Sequence, residues 1–153
     1  MLDPAGRGVT DVKHKVAAVG SRSVDKAQKF IDDFAPGSGA LALGSYDELV
    51  QCAEVDIVYI GTPHMLHYDC AKLALNAGKP VLVEKPATLN AAEWRELTAL
   101  AKAKGLFLME GMWTRFFPLA YRFQQMLHEE KLIGEIRHVY ADLSMQFLDG
   151  TFS

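Results

Sequence analysis

The sequence predicts an α/β fold: a parallel sheet with helices on both faces. Three observations carry that prediction. Short apolar runs alternate with amphipathic stretches along the chain. Helix-capping residues stand between them at the expected spacings. Glycine- and proline-bearing loops separate the units. The elements follow in order. "KVAAVG" (15–20) reads as a strand. Ser23 caps a helix in which Val24, Ala27, Phe30, Ile31 and Phe34 share one face. "PGSG" (36–39) is a loop, and Ser45 with Glu48 opens a short helix at capping-box spacing. "VDIVYIG" (55–61) is the next strand. "TPH" turns the chain into a helix that runs to about Asn76, where Gly78 stops it. "PVLVE" is the third strand. Asn90 and Glu93 start a helix carrying Trp94, Leu97 and Ala101 on one face, and Gly105 ends it. "LFLME" (106–110) is the fourth strand. After "WTRFFP", Leu119, Phe123, Met126 and Leu127 make another amphipathic helix. "EIRHVYADLSMQF" (135–147) predicts a longer strand of alternating character.

Composition narrows the function classes. The chain has 153 residues, 50% hydrophobic and 23% charged, with a formal charge of −3. That is enough chain for a real core in a soluble domain. No basic block points to nucleic acid or an anionic membrane surface. No apolar run is long enough to cross a bilayer, and "MLDPAGRGVTDVKHK" lacks the apolar centre of a signal peptide. Cys52 and Cys70 are too few for a disulfide framework and lack metal-ligand spacing. They read as small buried hydrophobes in a reducing, cytoplasmic setting. No metal site is expected. His64 and His67 have no supporting carboxylate or cysteine pattern and read as polar loop residues.

Ligands of parallel sheets bind beyond the C-terminal ends of the strands. Four such tips carry polar or aromatic residues: Ser21 and Arg22, Thr62 to His64, Glu84 to Pro86, and Glu110 to Arg115. Arg22 is either a solvated cation or a grip for a ribose 2′-phosphate. No acid stands at that tip to hold a 2′-hydroxyl, and Lys26 lies one helical turn on, so the pattern leans towards NADP over NAD. Lys85 is either a surface partner of Glu84 or an aimed group. Pro86 favours aim, because it fixes its own φ and restricts the preceding residue. An aimed ammonium polarises a hydroxyl or a carbonyl. Trp113, Phe116 and Phe117 are either core or the wall of an apolar pocket.

These residues carry a resemblance. "VLVEKPATLNAAE" resembles the Glu-Lys-Pro motif of the glucose–fructose oxidoreductase and inositol dehydrogenase (Gfo/Idh/MocA) family of NAD(P)-dependent oxidoreductases. "LFLMEGMWTRFFP" is similar to that family's dimeric dihydrodiol dehydrogenase branch, also described as NADP-dependent D-xylose dehydrogenases. "AVGSRSVDKAQKF", "SYDELV" and "VYIGTPHMLHYDCAKLALNAGKPVLVEKP" match in the same order, so the likeness runs from about His14 to Ala141. It implies a Rossmann-like sheet with NADP as cofactor. Ser21, Arg22 and Lys26 would hold the adenosine ribose and its 2′-phosphate. Gly61, Thr62, Pro63 and His64 would line the nicotinamide ribose. Glu84, Lys85 and Pro86 would face the nicotinamide, with a cis Lys85–Pro86 bond. Lys85 would be catalytic, orienting the reacting hydroxyl and lowering its pKa. Trp113 would wall the substrate pocket, and Arg115 would anchor the turn. The reaction would be oxidation of a secondary alcohol, in a trans-dihydrodiol or D-xylose, by hydride transfer.

The departures shape the expected organisation. Family members open with a strand, a glycine-rich turn and a helix that cradle the pyrophosphate. Here "AGRG" (5–8) follows no apolar strand, so "KVAAVG" corresponds to the family's second strand. The tyrosine used as general acid/base would lie beyond Ser153. The expectation is therefore an atypical segment (1–13), a partial dinucleotide-binding domain (14–117) lacking the first strand and glycine-rich turn, and the start of a truncated α+β domain (118–153). Such a chain would be a fragment of a homodimeric enzyme with impaired activity. The alternative is a non-catalytic remnant that binds a full-length partner through exposed sheet edges.

Overall fold

The computed structural model describes residues 11–142 and 144. They belong to two compact units, divided between Met112 and Trp113. The first unit holds strands β1 (Ala18–Gly20), β2 (Leu41–Leu43), β3 (Val58–Ile60), β4 (Val81–Val83) and β5 (Leu108–Glu110). Between them run helices α1 (Val24–Phe34), α2 (Tyr46–Gln51), α3 (His67–Asn76) and α4 (Ala91–Lys104). In the second unit, a 3-10 turn at Trp113–Phe116 leads into α5 (Pro118–Gln124) and a π-helical turn at Gln125–Glu129.

Every described ladder is parallel, as the alternating pattern requires. β1 pairs with β2, and β3–β4–β5 form a second ladder. Among the described residues, no strand pairs with both β1 and β3. Each therefore keeps one edge without a ladder partner. The sequence reading assigned no strand at β2. Its three residues, Leu41–Leu43, are too few to show a period. Pairing makes the strand: Leu41 N–H donates to Ala17 O at 2.9 Å, and Ser21 N–H to Leu43 O at 3.1 Å.

The helix boundaries follow their caps. Ser23 Oγ accepts from Lys26 N–H at 3.4 Å, Ser45 Oγ from Glu48 N–H at 3.1 Å, and Asn90 Oδ1 from Glu93 N–H at 3.0 Å. Glu48 and Glu93 reach back past the caps to accept from the N–H groups of Gly44 and Leu89, a variant of the capping box one residue earlier. α4 ends where Gly105 turns left-handed at φ 65°.

The core forms where β3 and β4 meet α3 and α4. Val58, Ile60, Val81 and Val83 point one way from their strands into Ala71, Ala74 and Leu75 of α3 and Leu97 of α4. Alanines on α3 allow close approach to the sheet, and the apolar area removed from water drives the association. Alternation sends Tyr59 to the opposite face, where it is half exposed.

Two expectations are corrected, and the apolar face of one helix is only partly covered. α1 buries only Ala27 and Ile31, while Val24, Phe30 and Phe34 stay about half exposed. α1 packs on the two-stranded β1–β2 ladder, which is too narrow to cover the whole apolar stripe. Cys52 and Cys70 are only partly buried, at the margin of the core. The strand expected at 135–147 is not formed over residues 135–142 or at Ser144, and its remainder lies outside the described residues. Val139 and Tyr140 are strongly exposed. A strand needs a ladder partner, and none is present among the described residues. No described helix is long and apolar enough to cross a membrane.

Candidate active site at the strand tips

The Glu84-Lys85-Pro86 tip is held by its neighbours. β4 continues past Val83 when Glu84 N–H donates to Ile60 O at 2.9 Å. The Lys85–Pro86 peptide is cis. From β3, Tyr59 Oη donates to Glu84 Oε1 at 2.6 Å. The Lys85 backbone N–H donates to Glu84 Oε2 at 3.1 Å. From β5, Glu110 Oε1 accepts from the buried Ala87 N–H at 2.9 Å. Gly111 lets the end of β5 lie close, because a Cβ there would stand 3.3 Å from Val83 O and 3.6 Å from Glu84 Cδ. From α3, the ring of His67 reaches the carbonyls of Pro86 and Thr62 at 2.7 and 2.8 Å.

This arrangement separates the roles of Glu84 and Lys85. Both carboxylate oxygens of Glu84 are engaged. The Tyr59 hydroxyl holds the Glu84 pKa below the usual carboxylate value, with help from the Lys85 N–H and nearby positive charge. Burial and the same hydrogen bond push the Tyr59 hydroxyl up to about 12. The reading of Lys85 as a surface partner of Glu84 is not what forms. Lys85 is exposed, and among the described residues its ammonium enters no ion pair.

The neighbouring tips are less constrained. At β3, Gly61, Pro63 and His64 are exposed, and the Thr62 side-chain oxygen is buried without a hydrogen-bond partner. At β1, Ser21 is tied through its backbone, whereas Arg22 and Lys26 project as exposed cations with no ion pair among the described residues. Trp113 and Arg115 belong to the second unit, both exposed in the 3-10 turn. Trp113 meets Phe117 edge-on at 5.2 Å between ring centroids. Beside it, Thr114, Phe117, Leu119, Ala120 and Phe123 line a concavity of about 340 Å³.

The sequence reading missed three site residues. Tyr59 looked like one more apolar position of a buried strand, and its period-2 place on the open face was the available signal. Glu110 was noted as a tip residue, but its partner, Ala87 N–H, is far along the chain. His67 is not a polar loop residue. It is fully buried at the start of α3.

Comparison with known proteins agrees with this geometry. Residues 5–112 match the model of the Gfo/Idh/MocA oxidoreductase family, NAD-binding Rossmann fold. D-xylose 1-dehydrogenase (NADP(+)) of Hypocrea jecorina is 45% identical over 146 residues, covering 95% of this chain and 37% of that protein. Trans-1,2-dihydrobenzene-1,2-diol dehydrogenase of Sus scrofa is 44% identical over 130 residues, covering 85% of this chain and 38% of that protein. The crystal structure of KijD10, a 3-ketoreductase from Actinomadura kijaniata in complex with NADP, superposes with a TM-score of 0.70 at 36% identity. That match covers 80% of this chain and 38% of the other. The chain thus spans less than two-fifths of the length of these relatives. With a family match over most of its residues and a parallel Rossmann-like sheet carrying a Glu-Lys-Pro tip, the chain belongs to the Gfo/Idh/MocA family of NAD-binding oxidoreductases.

Proposed function

We propose that this chain supplies the dinucleotide-binding part of an NADP-dependent oxidoreductase that oxidises a secondary alcohol, in a trans-dihydrodiol of an aromatic ring or in D-xylose. The observation that carries the reading is the β4 tip. Its backbone is held from β3, β5 and α3, yet among the described residues the Lys85 ammonium enters no ion pair. A cation on a fixed backbone can hold a substrate hydroxyl and stabilise the alkoxide that develops as its proton leaves.

The residues fit the cofactor at two ends. Exposed Arg22 and Lys26, with Ser21 beside them, suit a ribose 2′-phosphate, since a guanidinium matches phosphate geometry. Gly61, Thr62, Pro63 and His64 offer a lining for the nicotinamide ribose through their exposed parts, the Thr62 hydroxyl itself being buried. Glu84 and Pro86 shape the wall that faces the nicotinamide. When bound, NADP accepts the hydride. Lys85 binds the reacting oxygen and favours its deprotonated form. In this reading residues 14–117 form the dinucleotide-binding part and 118–153 begin a substrate and dimer domain, while Trp113 and Arg115, near the end of the first part, contribute to the substrate pocket.

A second reading has one observation behind it. Among the described residues β1 and β3 each keep an edge without a ladder partner, which suits the addition of a strand from a partner chain. A thermal melt of the purified chain with NADPH and with NADH separates the two. Cofactor binding to the folded state raises the midpoint. A rise with NADPH that exceeds the rise with NADH supports the cofactor reading and the role of Arg22. A cooperative melt that neither nucleotide moves defeats it and favours the partner-binding reading.

A further inference from the structure

We propose that His67 is carried as the doubly protonated imidazolium and acts as a positioning residue, cross-linking the β3 tip to the β4 tip. Its ring is fully buried in the first turn of α3. Nδ1 lies 2.7 Å from the Pro86 carbonyl oxygen, and Nε2 lies 2.8 Å from the Thr62 carbonyl oxygen. A carbonyl oxygen can only accept. A neutral imidazole has a single N–H, so one of these contacts would set a ring lone pair against a carbonyl lone pair. The imidazolium donates at both ends, and both distances are those of charge-assisted bonds.

A buried charge must be compensated. Two carbonyl dipoles do part of this. The Glu84 carboxylate, two residues before Pro86 and held below the usual carboxylate pKa chiefly by the Tyr59 hydroxyl, is the negative charge on the same tip. The other titratable groups around the ring are His64, edge-on at 5.6 Å between centroids, Lys85 one residue before Pro86, and Cys70 one turn further along α3.

The cross-link has a consequence for Lys85. It fixes the carbonyl of the next residue, and so the backbone from which the ammonium projects. That consequence rests on the proposed oxidoreductase function, whereas the cross-link does not.

A long-range proton–nitrogen correlation spectrum of the chain, labelled at its histidine rings, reads the state of His67 directly. The chain has five histidines, and His67→Phe identifies the signal that disappears. Where that variant does not fold, His67→Gln serves the same purpose. The expected result is one ring with both nitrogens protonated and both protons exchanging slowly with water. A His67 ring with one unprotonated nitrogen, or with no slowly exchanging proton, overturns the proposal. In His67→Gln, with one charge-assisted bond lost, the Ala87 amide should exchange roughly tenfold faster or more. Unchanged exchange there overturns the positioning role. An intact doubly protonated ring in a chain that NADPH does not stabilise would sink the proposed function and leave the cross-link standing.

Discussion

At the tip of β4, three side chains from three other elements reach the four residues Glu84 to Ala87. Tyr59 comes from β3, Glu110 from β5 and His67 from α3. At the tip of β1, Ser21 is tied by one backbone bond to β2, and the Ser23 cap follows. The Arg22 and Lys26 side chains extend into solvent. The two tips suit two different tasks. A group that meets a reacting atom must be held to a fraction of an ångström, because small misplacements are costly in rate. A cation that grips a phosphate needs charge and reach, and it tolerates a flexible stem.

The difference can be broken at several depths. The largest effect is expected beneath the braced tip. Leu97 of α4 is fully buried in the core cluster with α3 and the strands, so Leu97→Ala should destabilise the fold by about 2–5 kcal/mol, read as a lower denaturation midpoint. Next is the floor of the β1 tip. A Cβ on Gly20 would stand 2.9 Å from Leu49 Cβ, so Gly20→Val should cost about 1–3 kcal/mol through overpacking. If it cost nothing, the β1 tip would be looser than its packing indicates.

Glu110→Ala should cost about 1–3 kcal/mol, because it leaves the buried Ala87 N–H without an acceptor. Glu110→Gln keeps a side-chain oxygen and should recover most of that loss. Equal losses in the two variants would show that the brace works through charge instead.

Tyr59→Phe should have a smaller effect, no more than about 1 kcal/mol near neutral pH, since the ring is half exposed. Its signature is in the pH dependence. The folded Tyr59 pKa is raised from 10.0 to about 12. The folded state therefore holds the proton more tightly, and this stability is complete below pH 10 and fades as pH rises towards 12. Glu84 has the opposite sign: its lowered pKa gives stability above the usual carboxylate range that is lost as pH falls through the folded value. Wild type should lose stability in both windows, and Tyr59→Phe should flatten both. Parallel curves for the two proteins would remove the pair from the site's electrostatics.

The smallest effect on stability is expected at Arg22. Arg22→Ala should change it by no more than about 0.5 kcal/mol, while the NADPH-induced rise in melting temperature falls to the level seen with NADH. A preference for NADPH that survived would move phosphate recognition away from the β1 tip.

The fold class, α1 to α4 with the caps of α1, α2 and α4, four of the five described strands and the Glu-Lys-Pro tip were all legible in the sequence. Each rests on short-range physics. Ser23, Ser45 and Asn90 satisfy N–H groups three residues away, and apolar runs such as "VLV" report a strand with one face in the core. The family likeness was carried by contiguous motifs for the same reason. What the sequence could not supply is each contact made across the chain. β2 exists because β1 lies beside it. His67 is buried because the Thr62 and Pro86 carbonyls, 5 and 19 residues away, converge on its ring. Tyr59 and Glu84 are 25 residues apart, and Ala87 and Glu110 are 23. Their meeting is set by the β3–β4–β5 register, which pairs Ile60 with Val83 and Val83 with Glu110. Local hydrogen bonding and periodicity determined what each segment becomes. Only the parallel stacking of three strands under α3 decided which side chains close around Lys85.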